Sequence, residues 1–96
     1  MDSITNMCRE IADRYGYPAQ SNQLMEECAE LIQAVNKYKR YGNDEALKNF
    51  IEEIADVEIM LEQIKYLLGV KEDDIEGVKL YKLRRVLSSV EKKFAG

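Results

Sequence analysis

Two pairs of carboxylates stand at matched helical spacing in this chain. Glu27 and Glu30 lie three apart within Gln23-Leu24-Met25-Glu26-Glu27-Cys28-Ala29-Glu30-Leu31, and Glu53 and Asp56 repeat the interval within Glu52-Glu53-Ile54-Ala55-Asp56-Val57. Residues three apart share a helix face, and like charges there repel. Both pairs also border an apolar line, so two readings fit the spacing. In one, the acids face water and pair with Lys37, Lys39, Lys48 or Lys65. In the other, they converge between two helices, an arrangement that is strongly unfavourable without a positive centre among them. A hard divalent cation meets that demand: Mg²⁺ takes oxygen ligands and commonly bridges carboxylates to substrate phosphates, and Mn²⁺ can replace it. The chain has no histidine and only two cysteines, which argues against zinc or copper and removes any imidazole base.

A second charged feature lies further on. From Lys79 to Lys93 there are six basic residues against one acid, whereas from Glu26 to Glu62 there are ten acids against four bases. Lys79, Lys82 and Arg85 are spaced three apart. A basic strip facing an acidic, metal-binding centre suits a polyphosphate, because lysine and arginine neutralise the oxygens the metal leaves free. The plainer account is a solvated strip, and for Lys92 and Lys93 it suffices, since they complement the carbonyl end of their own helix.

Four helices are expected to carry these groups. Ile4, Met7, Cys8, Ile11 and Tyr15 recur at steps of three and four, until Tyr15-Gly16-Tyr17-Pro18 interrupts the pattern. Ser21 or Asn22 can cap a second helix with the line Leu24, Cys28, Leu31, Val35, Tyr38, and Gly42 suits the position after its end. Asn43 and Asp44 open a third, whose seam Leu47, Phe50, Ile54, Val57, Leu61, Ile64, Leu68 is of coiled-coil type and closes at Gly69. The fourth is expected from about Lys71 to Phe94, with Ile75, Val78, Leu83, Val86, Leu87 and Val90 inward and a weak point at Gly77. No segment alternates with period two, so the chain reads as all-α.

The length of 96 residues fits one domain, here residues 1–96. Apolar residues off the main seams (Ile32, Ile51, Ile59, Met60) predict a homodimer or homotetramer in which the four-helix subunits share a bundle; a monomeric four-helix bundle is the alternative. A net charge of −4 argues against a nucleic-acid polymer or anionic lipid as partner. No apolar stretch is long enough to span a bilayer, and the first residues do not read as a signal peptide. Cys8 and Cys28 read as apolar core positions in a reducing cytoplasm.

Taken in order, Glu26-Glu27-x-x-Glu30, Glu53-x-x-Asp56 and Lys82-x-x-Arg85 resemble the MazG-like group of the all-α nucleoside triphosphate pyrophosphohydrolases, over roughly residues 20 to 87. The two acidic motifs are separated by 22 residues. The resemblance implies a Mg²⁺-dependent hydrolase that cuts a nucleoside triphosphate between its α and β phosphates, yielding a monophosphate and pyrophosphate in nucleotide-pool housekeeping. It places the metal on Glu27, Glu30, Glu53 and Asp56, with Glu27 and Glu30 in the catalytic set, and the phosphates on Lys82 and Arg85 with Lys79. Glu26 is the candidate for orienting the attacking water, with an exposed acid as its alternative, and Gln23, one turn before Glu27, is a candidate substrate contact. Phosphoribosyl-ATP pyrophosphohydrolase has similar acidic motifs but typically a histidine after the second, where this chain has Val57-Glu58-Ile59-Met60. From another class, the same apolar stripes would serve a non-catalytic helical interaction module.

Overall fold

The computed structural model describes residues 2–95, so the ends of the expected domain, Met1 and Gly96, lie outside it. Among the described residues there are three helices and no strand: α1 (Ser3–Tyr41), α2 (Asp44–Leu68) and α3 (Glu72–Ala95). The all-α class is thus seen directly; three elements stand where four helices were expected, because the first two run on without a gap as α1. The first two expected helices are one element in which only Gly16 leaves helical geometry.

That residue does more than bend the chain. Before it, the partners along α2 advance with the sequence: the Cys8 thiol reaches the Ile59 carbonyl, and Asp13 accepts from the Tyr66 hydroxyl at 2.9 Å. After it they retreat, from Gln20 with Gln63 at 2.7 Å to Tyr38 with Phe50, ring centroids 6.2 Å apart. The first arm (3–15) therefore runs parallel to α2 and the second (17–41) antiparallel to it. Gly16 reverses the direction with φ 81° and ψ 171°, a region that L side chains avoid. Pro18 then falls in the first turn of the second arm, where no helical N–H partner is missed. Ser21 does not cap a helix as expected. It lies inside α1, and its hydroxyl donates to the Pro18 carbonyl.

Replacing Gly16 with alanine should lower stability by about 1–3 kcal/mol through backbone strain, since the added methyl would meet only Pro18 Cδ at 3.9 Å. Gly77→Ala, inside α3 and with open space around it, should instead stabilise by up to about 1 kcal/mol. Urea unfolding of both variants gives the two signs in one experiment.

The remaining boundaries follow their end signals. Asp2 caps α1 through Thr5 N–H, which lowers its carboxyl pKa, and Asn43 caps α2 through Ala46 N–H at 2.8 Å. Gly42 and Gly69 take the left-handed conformation after α1 and α2. At Gly69 the paired bonds Val70 N to Lys65 O and Gly69 N to Tyr66 O close the helix, and Lys65 also pairs with Glu62 and Glu72.

The small core lies between α1 and α2 and includes Cys8, Ala12, Ala34, Ala46, Val57 and Met60. Gln20 and Gln63 are buried with it and satisfy each other. The long α2 seam divides. Val57 is buried and Phe50 and Ile64 are half-buried, whereas Leu47, Ile54, Leu61 and Leu68, spaced seven apart, are exposed. Ile4, Met7, Ile11 and Tyr15 of the first arm, and Val35 and Tyr38 of the second, are exposed too. α3 packs on neither α1 nor α2. Of its expected inward residues Ile75 is half-buried, while Val78, Leu83, Val86, Leu87 and Val90 are exposed, so within one subunit that face has no cover.

Candidate functional site

The antiparallel packing of the second arm on α2 brings the two acidic pairs together. One carboxylate oxygen from each of Glu27, Glu30 and Glu53 lies within 4.8 Å of the others. Glu27 and Glu53 are half-buried, and one oxygen of each, Oε2, is buried with no hydrogen-bond partner. Buried polar atoms are rarely left so, because each forfeits its hydration for nothing.

The electrostatics agree with the geometry. Loss of hydration pushes the Glu27 carboxyl above its usual range; the Gln23 amide, donating at 2.8 Å, opposes this, and the charges of Asp56 and Glu30 add to the rise. Glu53 is raised in the same direction, first by loss of hydration and then by Glu30, Asp56 and Glu27. Asp56 is exposed at the edge of the cluster yet acts on both buried members. Among the described residues no lysine or arginine pairs with any of the four acids: Lys65 is engaged elsewhere, and Lys37, Lys39 and Lys48 form no ion pair with them. The reading in which these carboxylates are neutralised by nearby lysines is therefore not realised.

The donor set is all oxygen, anionic, partly dehydrated and short of partners. Glu27, Glu30 and Glu53, with Asp56 beside them, could hold a hard divalent cation such as Mg²⁺ or Mn²⁺, whose charge would satisfy the two orphaned oxygens. Gln23 joins the cluster by orienting Glu27. Glu26 is exposed and lies outside the group of converging acids.

Lys79, Lys82 and Arg85 are not brought to the carboxylates of their own subunit. All three are exposed on α3, which leaves α2 at Gly69, some 13 residues beyond Asp56, without packing back. One feature had no sequence signal: a groove between the first arm and α2, lined on the α2 side by Ala55, Glu58, Ile59 and Glu62 and separate from the acidic cluster. It exists only because Gly16 reverses the chain, and the break at Tyr15-Gly16-Tyr17-Pro18 carries no information on direction. Among the described residues no helix is long and apolar enough to cross a membrane. Compared with protein-family models, with curated proteins and with solved structures, the chain finds no match.

Proposed function

We propose that this chain is a MazG-like nucleoside triphosphate pyrophosphohydrolase, which hydrolyses (d)NTPs between the α and β phosphates to a monophosphate and pyrophosphate. The observation that carries the reading is the pair of buried, unpartnered oxygens on Glu27 and Glu53, facing Glu30 and Asp56 across two helices. A structural cluster would have been neutralised by the chain's own lysines; this one is left for an external cation.

Glu27, Glu30, Glu53 and Asp56 would hold Mg²⁺, or Mn²⁺ in its place. When bound, the ion would neutralise phosphate charge and make water acidic enough to lose a proton near neutral pH. Gln23 fixes the orientation of Glu27 by its hydrogen bond. A cluster carboxylate accepts the proton of the attacking water, with Glu26, an exposed acid next to Glu27 in sequence, as the group that steers it. Lys82 and Arg85 hold the phosphates and receive the charge growing on the departing pyrophosphate. Because α3 does not reach the cluster within one subunit, these bases serve the site from another copy, in a homodimer or homotetramer. Cys8 and Cys28 are unpaired, in keeping with work in the reducing cytoplasm.

A helical interaction module would also explain the exposed apolar stripes, but it gives no reason to bury one oxygen of each of two carboxylates without a partner. The deciding experiment incubates the protein and Mg²⁺ with a panel of canonical, deoxy and damaged triphosphates and identifies the products. Monophosphate plus pyrophosphate is expected. Release of orthophosphate and a diphosphate, or no turnover of any triphosphate, would overturn the reading.

A further inference from the structure

The groove between the first arm of α1 and α2 encloses about 650 Å³. Ile4, Met7, Ile11, Ala55 and Ile59 give it an apolar lining, and the four larger ones are left exposed. Its acids are Asp2, Glu58 and Glu62, and among the described residues it is lined by no basic side chain.

The uncovered face of α3 has the opposite character. Leu80, Leu83, Val86, Leu87 and Val90 fall on one side of the helix, all exposed. Lys79 stands among them, one turn before Leu83 and seven residues before Val86, and Arg84 borders them one turn beyond Leu80. The helix is acidic in its first turns (Glu72, Asp73, Asp74 and Glu76), ahead of the apolar stretch, and again only at Glu91, at the end of it.

We propose that α3 of a second copy of this chain fills the groove, with Lys79 and Arg84 set against Asp2, Glu58 and Glu62. The subunit's own α3 is turned away by the left-handed Gly69 and by the Lys65–Glu72 ion pair, and it packs on neither other helix. The exposed stripe of a second α2 is the wrong occupant: it carries Glu58 and Glu62 itself and would place like charges together. Exchange of α3 is reciprocal, so each copy gives one helix and receives one, and the assembly closes as a two-fold dimer. The docking does not rest on the reaction proposed above.

Sedimentation equilibrium of two variants tests the docking without any assay of turnover. One carries Glu58→Lys with Glu62→Lys, the other Lys79→Glu with Arg84→Glu. The wild type is expected to be dimeric, and each variant alone should dissociate at least about 100-fold more readily, because like charges then face each other in both contacts. Mixed in equal amounts, the two variants should recover the wild-type dimer, since every groove then meets a helix of opposite charge. If either doubly substituted chain loses its helical circular dichroism, Glu58→Gln and Arg84→Gln carry the same test, each weakening the dimer about tenfold. A monomeric wild type, variants that dimerise unimpaired, or a mixture that stays monomeric would each overturn the proposal. The first outcome is the one expected if α3 folded back into its own groove.

Discussion

Glu53→Gln should make the protein inert and, in the absence of metal, more stable. The amide keeps the shape of the side chain but removes the charge that burial and Glu30, Asp56 and Glu27 all disfavour. Its N–H can also donate to a neighbouring carboxylate, giving a partner to an atom that has none. Both effects raise the unfolding midpoint measured in chelator. The same change takes a ligand from the proposed cation, and kcat/KM for triphosphate cleavage is expected to fall on the order of 10³-fold. Opposed movement of stability and activity is the mark of a site kept under strain for function. Glu52→Gln, one residue away and exposed, should change neither quantity by much. A Glu53→Gln protein that keeps wild-type turnover, or that melts earlier than wild type in chelator, would falsify the assignment of Glu53 to a cation site.

What could be foreseen from the residues depended on whether the signal was local. Asn43, Gly42 and Gly69 mark helix ends through bonds made within a few residues, and each stands where its chemistry predicts. The acidic pairs are also local, three residues apart on single helices, so their convergence needed only that the two helices be antiparallel neighbours joined by a short turn at Gly42 and Asn43. Gln23 with Glu27 is likewise a pair one turn apart. Other features depend on direction in space. The α2 seam shows that two rows of apolar residues exist, not that one neighbour covers both; α1 covers Phe50, Val57 and Ile64, and Leu47, Ile54, Leu61 and Leu68 face outward. Ser21 resembles a cap in composition, yet Pro18 already starts the second arm three residues earlier. The separation of the basic strip from the acids follows from Gly69 and the Lys65–Glu72 pair, which set the course of α3 and leave no periodic trace.

Stability of the metal-free protein should fall as pH rises from about 4.5 toward 8, the reverse of ordinary acid denaturation. Glu27 and Glu53 both have raised folded-state values, so the folded chain retains protons that the unfolded chain has already released. Their favourable contribution is complete below the usual glutamate value near 4.5 and is lost as pH climbs through the raised values. Asp2 and Glu72 are shifted down, so their contributions disappear only as pH falls below that window, and the contribution of Lys65, shifted up, is constant across the window and lost only above it. The chain has no histidine to obscure the trend. Mg²⁺ should remove it. At a concentration 100 times its dissociation constant a ligand selective for the folded state adds about 2.7 kcal/mol, or about 10–20 °C in the midpoint of a domain this size. Because cation and proton compete for the same oxygens, that gain should grow with pH. Calorimetry in buffers of different ionisation enthalpy should detect protons released on Mg²⁺ binding at a pH just above the usual glutamate value, and fewer as the pH climbs past the raised ones. A metal-free midpoint that rises with pH across the window, together with a midpoint indifferent to Mg²⁺ at pH 8, is the result that Glu27 and Glu53 could not produce as a cation site.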